Sequence, residues 1–315
     1  MKIFIIGGTG LVGSYLLPKL IEQKHEVYAL TRSESKIEKV KQIGAFPISG
    51  DIVDPDSFNN KLPDNLDFII LLAMPNVIPG KRMTKKRKVV LRSDTNAFFT
   101  NSMNLAIKYN VPIILPGGVS FKTENDEIAD ETWKIRREGI TEIGADTDEM
   151  VENAIKTGNP KIIQLMYGKI YGNGGVFKFI YDMIDKNKGK IIGKGDNFIP
   201  NIHAEDAAEA IIKAIEKQLF GEKFIIADDT PVTQKDFNVY MAQKMNKKLP
   251  KHIPAFIIGL VLGKDFMVIV NMNCKVSNLK AKNILGLELK YPSYKQGLDV
   301  TLEEMKTQKN NFEQK

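Results

Sequence analysis

The chain holds 315 residues, 43% of them hydrophobic and 26% charged. That suffices for a large core in two domains or subdomains and excludes a disordered or fibrous polypeptide. Its single cysteine, Cys274, excludes an internal disulfide and fits a reducing, cytoplasmic setting, while the formal net charge of +7 leaves anionic partners of several kinds to be weighed.

In chain order, residues 2–6 (Lys-Ile-Phe-Ile-Ile) form the first predicted strand. Gly7-Gly8-Thr9-Gly10 ends that apolar run at once, and no small-residue cleavage site follows, so no secretion signal is expected. Residues 11–23 read as a helix, 26–31 as a strand, 35–43 as a helix and 45–49 as a short strand. Residues 67–73 are nearly all apolar, as a strand buried on both faces must be. The basic run Lys81-Arg82-Met83-Thr84-Lys85-Lys86-Arg87-Lys88 has no interleaved aromatic residue and no nucleic-acid motif beside it. It is read as a solvated helix start in preference to a clamp for a phosphorylated ligand. A helix over 96–109, a strand over 111–115, a helix over 147–157 and a strand over 161–166 follow.

This alternation predicts an α/β protein with a doubly wound parallel Rossmann sheet. After Gly172 the rhythm breaks: a helix over 176–187, one more strand over 223–227, then a mostly helical tail from Thr230. The expected division is a Rossmann domain of residues 1–172 with 199–228, and a smaller, mostly helical substrate region of 173–198 with 229–315. The apolar runs 253–263 and 266–270 are too short to cross a bilayer and are expected as a buried helix pair. The polar residues beyond Lys306 are expected to fray.

Gly7, Gly10 and Gly13 lie between the first strand and its helix. The first glycine permits a tight turn, the second lets backbone approach a pyrophosphate, and the third lets helix and strand pack closely. The helix N-terminus adds N–H donors and the positive end of its dipole. The second strand ends Leu30-Thr31-Arg32-Ser33, without the acid that would accept from a ribose 2′-hydroxyl. Arg32, assisted by Lys36, can instead pair with a 2′-phosphate. The expected cofactor is therefore NADP, with NAD as the other option.

These motifs resemble the extended short-chain dehydrogenase/reductase family, in its epimerase/dehydratase-like branch. The resemblance spans nearly the whole chain. It includes Gly7-Gly8-Thr9-Gly10-Leu11-Val12-Gly13, Gly50-Asp51-Ile52, Leu71-Leu72-Ala73 with the following Met74, Asn96 with Thr100, Gly168-Lys169-Ile170-Tyr171-Gly172, the helix start Ile202-His203-Ala204-Glu205-Asp206-Ala207, and Tyr291-Pro292-Ser293. It implies that Asp51 and Ile52 face the adenine and that Leu72, Ala73 and Met74 line the cofactor, with Thr9, Leu11 and Val12 in the phosphate loop. His203 and Asp206 are read structurally, with Asp206 capping or favouring its helix N-terminus. No histidine pair has metal-ligand spacing, so no metal is expected.

The family's proton-transferring Tyr-x-x-x-Lys pair is missing. Alignment on Glu152 and the next strand puts Gly144 at the tyrosine position and Asp148 at the lysine position. The strings Tyr15/Lys19, Tyr240/Lys244 and Tyr291/Lys295 lie elsewhere and are read as chance, and the family's serine position reads Gly117-Gly118 with Ser120 displaced. Two readings follow. One is an NAD(P)-dependent oxidoreductase or epimerase with non-standard acid/base groups, Tyr171 and Ser120 first, then Tyr167 and Lys169, acting on a carbonyl, hydroxyl or nucleotide-sugar compound. The other is a non-catalytic NADP(H)-binding sensor. The expected partners are a small, anionic-compatible substrate and a second copy in a homodimer, with no nucleic acid and no membrane.

Overall fold

Each apolar run of the first 230 residues becomes a strand whose side chains alternate between two cores. The computed structural model describes residues 1–313. The strands are β1 (Lys2–Ile6), β2 (Glu26–Thr31), β3 (Phe46–Ser49), β4 (Phe68–Leu71), β5 (Ile113–Gly118), β6 (Ile162–Tyr167), β7 (Lys169–Tyr171), β8 (Lys190–Ile192), β9 (Phe198–Ile199), β10 (Asn201–His203), β11 (Lys223–Ile226), β12 (Val232–Thr233) and β13 (Lys251–Ile253). Seven of them form one parallel sheet in the order β11-β6-β5-β4-β1-β2-β3. The order reverses between β1 and β4, and ligands of such sheets bind at the carboxyl edge over that reversal.

The helices are α1 (Leu11–Glu22), α2 (Glu34–Ile43), α3 (Lys85–Tyr109), α4 (Ala145–Thr157), α5 (Gly175–Asp185), α6 (Ala204–Lys217), α7 (Gln234–Lys244), α8 (Ala255–Leu262), α9 (Met267–Val270) and α10 (Tyr294–Glu313). Ile3 and Ile5 pack with α1 and α6, whereas Phe4 and Ile6 pack on the other face with α3 and α4. This is the period-2 alternation of a strand covered on both sides. A separate core gathers Tyr171, Phe177, Tyr181, Phe237, Met241, Tyr294 and Leu298 from β7, α5, α7 and α10.

Three expectations are corrected. The helix expected at 96–109 starts at Lys85, because Thr84 accepts from the Arg87 N–H at 3.2 Å and caps a helix 25 residues long. The basic run is therefore its solvated start. Residues 307–313, expected to fray, continue α10 to Glu313, and residues 314 and 315 lie outside the described residues. The apolar segment 253–263 is not a buried helix, since no residue of α8 is buried. Hydropathy marked the segment as core, but no element covers its outer face.

Candidate functional site

The phosphate loop is built by crowding. Gly7 has φ +95°, and a Cβ there would stand 2.5 Å from the Ala73 nitrogen. A Cβ at Gly13 would stand 2.2 Å from the Gly8 carbonyl oxygen. Both glycines are thus required by the protein's own packing. Gly10 differs: it is exposed, its φ of −81° and ψ of −173° suit any residue, and a Cβ would meet only the Gly7 oxygen, at 3.2 Å. No side chain caps α1 and no acid stands in its first turn, so its N–H groups and positive dipole end face outward beside Gly10.

The neighbouring loops converge there. The N–H groups of Leu72 and Ala73 both donate to the Ile6 carbonyl, at 2.7 and 2.9 Å, which folds the β4 exit against the glycine loop. Met74 follows, exposed. Leu11 lies against Gly172, Gly174 and Gly175, while Thr9 is half-buried and Val12 is packed inward. Asp51 accepts from the Val53 N–H, and the Asn101 side chain donates to the Ile52 carbonyl at 2.8 Å. The guanidinium of Arg32 lies 3.5 Å from Asp51 and is 70% exposed, so its charge remains open to a further anion. The residues expected to hold a dinucleotide thus meet along one edge, and a cradle with an open glycine beside uncapped N–H groups fits a pyrophosphate.

The expected acid/base groups are buried or already bonded. Tyr171 has no exposed surface; it packs against Phe177, His203 and Phe237, and a Cβ at Gly297 would stand 2.0 Å from its hydroxyl oxygen. That hydroxyl has no hydrogen-bond partner, and burial raises its pKa far above the phenol range. Tyr171 thus packs a core, with its hydroxyl enclosed. Tyr167 is likewise buried, with its hydroxyl unpartnered and its pKa raised by desolvation. Ser120 donates to the Arg136 carbonyl at 2.8 Å while its own carbonyl accepts from the Arg136 N–H at 2.7 Å, so it latches the loop that follows β5. Lys169 lies 5.4 Å over the Phe237 ring beside a small pocket lined by Asn201 and Thr233, and loss of hydration lowers its pKa to about 8.

The Ser120 latch is followed by Arg137, which reaches Gly144 and Asp148, the positions at which the tyrosine and lysine were expected from the alignment. A Cβ at Gly144 would stand 3.0 Å from the Arg137 guanidinium carbon. The same guanidinium binds Asp148 through two bonds, Nε to Oδ2 at 2.6 Å and Nη2 to Oδ1 at 2.5 Å. Next to it, Asp146 pairs with Arg92 and accepts from the Asn96 amide at 2.5 Å; the Arg92 guanidinium first, then Asn96, lowers its pKa to about 2. Lys88 bridges Glu142 and Asp265 at 2.9 and 3.0 Å. Sequence reasoning missed this network. The one legible signal was the acid at Asp148, which requires a cation, but nothing local named Arg137.

Other singled-out groups serve the fold. His203 caps α6, accepting from the Glu205 N–H at 3.1 Å, and lies 3.1 Å from the Thr301 hydroxyl; burial lowers its pKa to about 4. The side-chain cap of α6 is thus His203, while Asp206 stands as an acid in its first turn and accepts from the N–H groups of Lys290 and Tyr291. Tyr15 donates to Glu304, Tyr240 and Lys244 both reach Asp299, and Tyr291 reaches Glu205. A cleft of about 480 Å³ opens between the loop around Lys194 and Asn197 and the turn at Asn271 and Asn273, with Asn125 on its rim.

This sheet, with its glycine cradle at the switch point, defines a nicotinamide-dinucleotide-binding Rossmann protein of the extended short-chain dehydrogenase/reductase type. The chain belongs to the 3-beta hydroxysteroid dehydrogenase/isomerase family, whose sequence profile matches residues 4–256. Among its relatives is the decarboxylating sterol-4-alpha-carboxylate 3-dehydrogenase of Dictyostelium discoideum, 22% identical over 95% of this chain and 99% of the relative. The human epimerase family protein SDR39U1, solved with NADPH, has the same fold: TM-score 0.77, 18% identity, 96% and 99% of the two chains covered. So does the UDP-glucose 4-epimerase of Thermus thermophilus, solved with NAD: TM-score 0.77, 18% identity, 97% and 99% covered. Among the described residues no helix is long and apolar enough to cross a membrane, and no cluster of three His, Cys, Asp or Glu could hold a metal ion.

Proposed function

We propose that the chain is an NADP(H)-dependent oxidoreductase of a small carbonyl or hydroxyl compound in which Arg137, held by Asp148, replaces the tyrosine at the reacting oxygen. The observation that carries the reading is that one guanidinium engages both positions where the usual pair is missing. The bound nicotinamide supplies or accepts the hydride. Gly10 and the start of α1 hold the pyrophosphate, with Thr9, Leu11 and Val12 beside it. Arg32 takes the 2′-phosphate by leaving Asp51, an exposed pairing worth at most about 1 kcal/mol. Asp51, Ile52, Leu72, Ala73 and Met74 line the rest.

Arginine does not release its proton near neutrality, so Arg137 acts as a fixed donor to an oxygen that gains negative charge. In the reductive direction the carbonyl carbon gains a hydride and its oxygen takes a proton from water, leaving an alcohol. The cleft beside Lys194, Asp196, Asn197, Asn271 and Asn273 suits a small polar substrate by size and lining. The NADPH of the human relative and the dehydrogenation of a sterol carboxylate by the Dictyostelium relative fit this reaction class. A sensor reading is favoured by a different observation: Ser120, Tyr167 and Tyr171 are all committed or buried. Single-turnover oxidation of NADPH against a carbonyl panel separates the two. The enzyme reading expects turnover of at least one member, and a loss of roughly 10²- to 10³-fold in Arg137→Gln at unchanged NADPH affinity. NADPH binding without turnover of any carbonyl favours the sensor.

A further inference from the structure

We propose that α8 and the basic turn before α3 form one surface that docks on an anionic lipid bilayer. The α8 sequence, Ala-Phe-Ile-Ile-Gly-Leu-Val-Leu, carries no polar side chain, and none of its residues is buried. Phe256 is 70% exposed and Leu260 68%, four residues apart and so on one helix face, with Val261 beside them at 55%. An ordinary surface helix turns such residues inward. The helix is held along its flank and ends, where Gly259 packs toward Met267 and Ala255 lies near Gly193.

Charge completes the surface. The Met83 N–H donates to the Leu262 carbonyl at 2.7 Å, and Gly263 packs beside Met83 and Arg82, which fixes the basic turn against the end of α8. Lys81, Arg82, Lys85, Lys86 and Lys264 are exposed, and among the described residues none is paired with an acid. Further along α3, Lys88 pairs with Glu142 and Asp265, and Arg92 with Asp146. Five cations without an acid partner thus lie next to the C-terminal end of the apolar helix. The exposed face offers a partner no side-chain hydrogen bond. An exposed apolar face flanked at one end by free cations matches a diffuse anionic surface with an apolar interior, which is how helices lying in a membrane interface bind. At eight residues α8 is too short to cross a bilayer, so docking is to one leaflet. The segment ends at Val270 and Asn271 on the wall of the cleft, so docking would set the cleft mouth against the lipid.

The test is co-sedimentation of the full chain with phosphatidylcholine vesicles, with and without about 30% phosphatidylglycerol, at low and high salt. The expected result is at least tenfold stronger partition to the anionic vesicles, weakened by salt. Phe256→Ser/Leu260→Ser should lower partition at least tenfold. Replacing Lys81, Arg82, Lys85 and Lys86 by Ala should lower it by roughly fivefold per charge near the surface. Melting curves establish that both variants fold, and the charge variant stands independently of the helix variant. The proposal is overturned if wild type binds neither vesicle, or if both variants bind like wild type. It is also overturned if sedimentation shows a dimer that Phe256→Ser/Leu260→Ser dissociates without any vesicle binding, which would assign the face to a second copy.

Discussion

Substituting Gly10 separates a glycine kept for a ligand from glycines kept for packing. The Gly10 backbone lies where any residue is allowed, and an added methyl meets one carbonyl oxygen at 3.2 Å, a contact relieved by a shift of a few tenths of an ångström. Gly10→Ala should therefore melt within about 2 °C of wild type. A methyl at Gly13 would lie 2.2 Å from the Gly8 oxygen, inside any tolerated contact. Gly13→Ala should lose more than the roughly 1–3 kcal/mol of ordinary overpacking. On the ligand side the order reverses. The Gly10 methyl keeps a pyrophosphate away from the α1 N–H groups, and each charge-assisted hydrogen bond lost is worth about 1.5–3 kcal/mol. Losing one weakens binding by about 10- to 100-fold. Calorimetric titration of NADPH into wild type and Gly10→Ala, each checked by a melting curve, measures both. A folded Gly10→Ala with wild-type affinity would refute the assignment of this loop.

Two further predictions rest on buried groups. The Tyr171 hydroxyl is buried without a partner, so Tyr171→Phe should melt at or above wild type and keep NADPH affinity; a loss of several degrees or of turnover would mean the hydroxyl has a task that its packing does not show. Asp228 has one buried carboxylate oxygen without a partner, and burial raises its pKa from 3.8 to about 8. Its folded pKa exceeds the unfolded one, so the stability it contributes is full below about pH 4 and lost as pH rises through about 8. Relative to Asp228→Asn, wild type should lose melting temperature steadily between about pH 5 and pH 8; parallel curves would contradict this.

The sheet was legible because a strand covered on both faces must be a continuous apolar run, as Phe68–Leu71 is, and because a phosphate loop between strand and helix requires glycine at fixed spacing. The Arg137–Asp148 pair was not, because Arg137 sits in an irregular loop without periodicity. Its placement depends on the Ser120–Arg136 latch, one backbone bond and one from the Ser120 hydroxyl, between positions whose pairing no local pattern announces. The burial of Tyr171 was not legible for another reason: it depends on α7 and α10 closing over the residue from far along the chain. The apolar stretch 253–263 misled because hydropathy reports which residues prefer to leave water and says nothing of what covers them.

Cofactor choice tests the central claim most directly, since Arg32 and the acid-free end of β2 make opposite demands on the two dinucleotides. Titrating NADPH and NADH separately into the wild-type chain should give at least tenfold tighter binding of NADPH, reduced to near equality in Arg32→Ala, for the bidentate pairing of a guanidinium with a 2′-phosphate. Equal affinities in the wild type, or no binding of either, would contradict an NADP(H)-dependent enzyme.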